Sequence, residues 1–147
     1  MAGLDHTDIF ESLKKLVGDW RGINEAGEPV LVNYRMSAND STLVESWTFA
    51  NGMDALTMFH MNGETLMATH FCPIGNQPRF VLETQTPSGF LKFEFLDATN
   101  LADLKDPHGH AFEMHMIDAD TLERTETYVE EAGELDVNGT VFHRLGN

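Results

Sequence analysis

With 147 residues, the chain is long enough to enclose one core and is expected to form a single domain over 1–147. Hydrophobic residues make up 41%, no apolar run approaches the roughly 18 residues of a membrane span, and the lone cysteine excludes an internal disulfide, which points to a reducing cytoplasm. Nine Lys and Arg against 24 Asp and Glu leave a dispersed net charge of −15, repelled by phosphate backbones and anionic lipid, so neither nucleic acid nor membrane is an expected partner.

The start, MAGLDHTDIFESLKKL, lacks the basic, apolar and small-residue order of a signal peptide and reads instead as a helix over 7–17. Asp5 or Thr7 can cap it. Ile9, Phe10, Leu13, Leu16 and Val17 form one apolar stripe at helical spacing, and Gly18 suits the stop. Lys14 and Lys15 fall in the last turn, where cations favour the helix dipole.

From Asp19 the period changes. Ten strands are expected, at 20–24, 30–37, 42–49, 55–61, 64–72, 79–85, 90–96, 110–117, 122–130 and 140–145, with Gly, Asn, Asp or Pro between nearly all of them. Short strands at this spacing make an antiparallel up-and-down meander. Closing it into a barrel removes the edges that a flat sheet would expose. The fold class is therefore mainly β: a barrel of about ten strands behind one N-terminal helix.

Alternation sorts the faces. Leu43, Glu45, Trp47 and Phe49 share one side of their strand, and Leu122, Arg124, Glu126 and Tyr128 share one side of theirs. If the apolar members mark the interior, Glu45, Arg124 and Glu126 are inside too. Phe112, Met114 and Met116 are expected inside with His110, and His115 outside. Met58 also belongs to the expected lining, where a flexible thioether adapts to varied apolar shapes.

The turns at 38–40, 62–63, 87–89 and 118–120 are tight, whereas the connections at 50–54, 73–78 and 97–109 are longer. In a meander these three gather at one rim, while the helix can plug the other end, so functional loops are expected at one mouth.

The stretch Thr57 to Arg79 is the candidate site. His60, His70, Cys72, Asn76, Gln77 and Arg79 stand among Met, Leu, Phe, Thr and Ala, and each polar group needs a partner if buried. A two-residue turn at Asn62-Gly63 puts His60 and His70 on opposite faces. A three-residue turn with Gly63 left-handed puts His60, Leu66, His70 and Cys72 on one face with Leu56, Met58 and Ala68, and this register is the expected one. The set reads as polar pocket lining, as metal ligands, or as a thiol with its base. The ordinary structural alternative is a pair of histidines satisfied by Glu45 or backbone, with Cys72 a small hydrophobe. Asn76, Gln77 and Arg79 suit a carboxylate or carbonyl ligand at the mouth, or else Arg79 pairs with Asp97 and the amides bond backbone. His108 and His110 read as a solvated His-Gly-His bend.

Leu16-Val17-Gly18-Asp19-Trp20-Arg21-Gly22 is similar to the Gly-x-Trp opening of the calycins, the lipocalin and fatty-acid-binding-protein superfamily. More closely, the chain resembles an uncharacterised family of bacterial lipocalin-like proteins over nearly its whole length. The residues in common are Tyr34-Arg35, Val44-Glu45, His60-x-x-Gly63, the run Thr69-His70-Phe71-Cys72-x-x-Gly75-Asn76-Gln77-Pro78-Arg79, Phe93-x-Phe95-x-Asp97-Ala98-Thr99-Asn100, and His110. One departure is Thr125-Glu126-Thr127, where the resemblance leads one to expect an aromatic. The resemblance implies a lipocalin-like barrel whose Trp20 covers one end beneath the helix. It carries no established activity. Some haem-binding calycins, the nitrobindins, use a histidine on the final strand, and His143 stands in roughly that place.

The expected function is binding of a small, mostly apolar ligand inside the barrel. His60, His70, Arg79, Glu45 and Arg124 would orient its polar head, and Met58 and Met114 would hold its body. The alternatives are an enzyme using His60 or His70 as general acid–base, or a haem or metal carrier through His143 or through His70 and Cys72. No resident cofactor is expected outside those alternatives, and self-association as a homodimer is left open.

Overall fold

Asp5 caps the first helix: its Oδ1 accepts from the Asp8 amide at 2.8 Å. A computed structural model describes residues 5–86 and 88–146, so Pro87 of the turn expected after the sixth strand lies outside the described residues, as do 1–4 and 147. Helix α1 (His6–Leu13) buries Ile9, Phe10 and Leu13 and runs into a 3-10 turn at Lys14–Leu16. That tighter winding rotates Val17 out of the apolar stripe and leaves it 44% exposed, against the expectation from helical spacing. Gly18 then takes φ +134°, and a Cβ there would lie 3.1 Å from Arg144 Nη1.

Ten antiparallel strands close into a barrel: β1 (Gly18–Ile23), β2 (Pro29–Ser37), β3 (Thr42–Phe49), β4 (Asp54–Asn62), β5 (Thr65–Phe71), β6 (Gln77–Gln85), β7 (Phe90–Thr99), β8 (His108–Asp118), β9 (Thr121–Val129) and β10 (Leu135–Arg144). Each strand pairs with its neighbours in the chain, and β1 pairs with β10 to close the ring. The last strand starts five residues before the expected 140, because Leu135 to Gly139 extend the ladder opposite Val129 to Thr125. Closure demands glycine at Gly22: a Cβ there would meet Thr140 Cγ2 at 2.7 Å and the Val141 carbonyl oxygen at 2.8 Å.

The two ends differ. Trp20 seals one, fully buried, with its Nε1–H donating to the Leu16 carbonyl at 2.8 Å. Arg144 lies 4.4 Å from the Trp20 ring centroid and donates to the Val17 and Lys15 carbonyls, which ties the last strand to the segment after α1. At this end α1 packs against β4 and β5, and His6 Nδ1 accepts from the Leu66 amide at 2.8 Å. The other end carries the connections at 24–28, 50–53, 72–76, 100–107 and 130–134. It is the long-loop rim expected from the sequence, widened by the connections after β1 and β9.

The interior divides accordingly. Toward the sealed end it is filled by Leu16, Trp20, Leu43, Phe59, Leu66 and Phe93. Phe93 stacks on Phe112 at 4.6 Å, and Phe59 and Phe80 meet Phe112 edge-on. Toward the loops the filling stops and a cavity begins. Among the described residues no helix is long and apolar enough to cross a membrane.

Candidate functional site

The cavity occupies about 270 Å³. Val30, Trp47, Phe49, Ala55, Phe80 and Phe112 form its apolar wall, with Asn24, Glu25 and Pro73 from the rim loops. Its polar side comes from Thr57, His70, Arg124, Glu126 and Tyr128.

Arg124 organises that side. It is 3% exposed and is held in plane by aromatic faces, with its guanidinium carbon 4.6 Å from the Phe112 centroid and 5.2 Å from that of Trp47. On one edge it pairs with Glu45, which also accepts from the Tyr34 hydroxyl at 2.6 Å and the Trp47 indole N–H at 2.5 Å. On the other edge Arg124 Nε donates to Glu126 at 3.0 Å. Burial works to lower the arginine's pKa, but Glu126 and Glu45 overcome it and hold the cation. Burial also raises the Glu126 carboxyl above its ordinary range, with Arg124 opposing. The Tyr34 phenol is raised well above its ordinary value, first by burial and then by Glu45, so it stays a neutral donor.

His70 stands opposite Thr57 across the β4–β5 ladder, and its Nδ1 meets the Thr57 hydroxyl at 2.8 Å. A hydroxyl both donates and accepts, so this contact suits a ring proton on either nitrogen. Nε2 is buried and has no hydrogen-bond partner among the described residues. Burial lowers the His70 pKa to about 4, leaving the ring neutral near pH 7.

The expected site residues therefore separate. Glu45, Arg124 and His70 are inside, but His60 and Met58 are not. The β4–β5 turn has Asn62 opposite Thr65, so the loop is Gly63-Glu64 with φ +60° at Gly63, the position a type II′ turn reserves for glycine. This register, not the three-residue turn, sets His60 opposite Met67 and Thr57 opposite His70; His60 and Met58 face outward, and Thr57 and Phe59 face inward. His60 Nδ1 donates to the Met61 carbonyl at 3.1 Å.

Arg79 and Gln77 are also outside the cavity lining. Arg79 holds Asp97 through two bonds of 2.7 and 2.5 Å on the exposed face. Gln77 Oε1 accepts from Thr99 and Asn100. Asn76 is buried at the rim, where its Nδ2 donates to the Pro107 carbonyl at 2.8 Å. Cys72 is buried near Tyr128 at the mouth, and burial raises its thiol pKa, the reverse of an activated nucleophile. Met114 lies in the packed core below the cavity rather than on its wall.

His108 is fully buried, not solvated. Its Nδ1–H donates to the Asp106 carbonyl at 2.7 Å, and its Nε2 meets His110 Nδ1 at 3.1 Å. A bulge between Gly109 and Ala111 breaks the alternation that would have set His110 with Phe112, and His110 stacks on Phe95 instead. His143 is exposed and alternates with the inward Phe142, so it is no axial ligand from within. Among the described residues no three His, Cys, Asp or Glu side chains converge as a metal site.

Trp47 and Tyr128 line the cavity on strands whose alternation already pointed them inward, and Trp47 belongs with Glu45 for the same reason. Thr57 was missed because its face depended on the hairpin register.

No family model matches the chain, and no curated protein matches it. Among solved structures the barrel is similar to Rv2717c from M. tuberculosis, with a TM-score of 0.65 and 17% identity over 94% of this chain and 98% of that one. It is also similar to a protein of unknown function from the DUF3598 family of Nostoc punctiforme, with a TM-score of 0.63 and 17% identity over 90% of this chain. The chain spans 49% of the length of that Nostoc protein. At such identity the likeness establishes the barrel fold alone.

Proposed function

We propose that this chain is a calycin-like container that binds a small, mostly apolar molecule carrying one polar group. The molecule passes between the rim loops and lies against Trp47, Phe49, Phe80 and Phe112. Its polar end meets His70, Arg124 and Glu126. The observation that carries this reading is the division of the interior. The sealed half is filled by buried aromatic and aliphatic side chains, whereas the open half keeps a cavity of about 270 Å³ bordered by a buried histidine nitrogen with no partner among the described residues. A barrel selected only to stay folded gains nothing from an unfilled end and an unsatisfied imidazole.

The test uses a neutral fluorescent amphiphile, N-phenylnaphthylamine, and the variant Ala55→Trp, which fills the cavity from its wall. Saturable one-to-one binding to the wild type, lost in the folded variant, is the expected result. Equal binding by both proteins would place the dye elsewhere and refute the reading.

A further inference from the structure

The container reading leaves the ligand's head group open, and the charges inside the barrel narrow it. Arg124 is the one cation on the cavity wall among the described residues, and both edges of its guanidinium are already taken, by Glu45 on β3 and Glu126 two residues along β9. Two carboxylates thus face one guanidinium. With Glu126 ionised the cluster is net negative, and with Glu126 protonated it is neutral. In neither state does it offer a positive charge to an incoming anion. The other polar groups on this side, the Tyr34 and Tyr128 phenols, the Thr57 hydroxyl and the His70 ring, are neutral, and the rim adds Glu25. Arg79, the guanidinium that would best serve a carboxylate at the mouth, is spent on Asp97 on the exposed face.

What the wall does offer is an acceptor. Glu126 keeps 22% of its side chain accessible, and its Oε2 lies a long 3.4 Å from Arg124 Nη2. The Nε2 of His70 is buried and has no partner among the described residues. We propose, building on the container reading, that the site takes an uncharged or cationic amphiphile whose polar end donates a hydrogen bond to Glu126 beside His70, and that it rejects carboxylates. A carboxylate could reach Arg124 only by displacing Glu126, which would leave a second buried anion unpaired. A donor leaves the Arg124 network intact and reaches the accessible Glu126 carboxyl.

Four compounds with one body decide it: octanol, octylammonium, octanoate and octyl methyl ether. Binding is read by titration calorimetry and by the fluorescence of Trp47, which lines the cavity. The expected result is that octanol or octylammonium binds at least about tenfold more tightly than octanoate, with the ether, which has no donor, weaker than octanol. Glu126→Gln, isosteric and one negative charge fewer, should strengthen octanoate and weaken octylammonium; its fold is checked by circular dichroism. Octanoate bound as tightly as octanol by the wild type overturns the inference while leaving the container standing. Failure of all four to bind, at concentrations where N-phenylnaphthylamine also fails, overturns the container and the inference together.

Discussion

Arg124 on β9 reaches across the barrel to Glu45 on β3, 79 residues away in sequence, and both side chains are almost wholly buried. An ion pair removed from water gains little net stability over a well-packed apolar pair, but removing one partner strands the other. Glu45 also receives Tyr34 and Trp47, so three donors depend on it.

Glu45→Ala is therefore expected to destabilise the barrel by about 3–5 kcal/mol, because it leaves a buried guanidinium half-paired. Glu45→Gln, which keeps an acceptor, should cost less. Combining Glu45→Leu with Arg124→Met should recover much of the loss. Urea denaturation of the set measures this, and a double variant no more stable than Glu45→Ala would show that the pair is not the source of the effect.

His70 sets an acid limb. Its folded pKa is lowered to about 4 by burial, against an ordinary value near 6.5, so between these values the unfolded chain binds a proton that the folded chain does not. Stability attributable to this group is complete above about pH 6.5 and falls as the pH drops toward 4, by up to about 3 kcal/mol. His70→Gln should flatten that limb relative to the wild type. The raised Glu126 carboxyl acts in the opposite sense, since the folded state takes up its proton first, and the difference between the two proteins cancels that contribution. Identical pH profiles from melting at pH 4 to 7 would contradict the burial of a neutral ring.

Much of this site was readable from period alone. Glu45, Trp47, Arg124 and Tyr128 sit on uninterrupted strands where a count of two carries the face from one residue to the next. The failures occur where the count is interrupted. A type II′ loop at Gly63-Glu64 moved His60 and Met58 outward, and a bulge around His110 moved it away from Phe112. Both events depend on backbone geometry that a single glycine permits without announcing. Arg79 illustrates a different limit: its type suits an anion site, but only the cross-strand register shows that Asp97 holds it.

Arg79→Ala is expected to leave ligand affinity unchanged. An exposed pair contributes within about 1 kcal/mol, so the melting temperature should move little. A marked loss of N-phenylnaphthylamine binding in this variant would return Arg79 to the site.

Cys72 is expected to react slowly with a disulfide reagent at neutral pH, because burial both shields the thiol and raises its pKa. Labelling should accelerate on denaturation. Labelling of the native protein as fast as that of a free thiol would contradict the packing of the mouth around Tyr128.

The ring closes through one ladder unlike the rest. Nine of the ten pairings join strands adjacent in the chain, while β1 and β10 register over three residue pairs, Trp20 to Gly22 with Arg144 to Phe142. The meander can thus assemble by successive hairpins, each closing a short loop, and only the seam must bring distant segments together. The seam is therefore expected to form after the hairpins. Gly22→Ala, which pushes a methyl against the Val141 carbonyl, is then expected to accelerate unfolding while leaving the refolding rate nearly unchanged. With that outcome the seam is the latch that governs how long the folded molecule lasts, and the hairpins govern how quickly it forms.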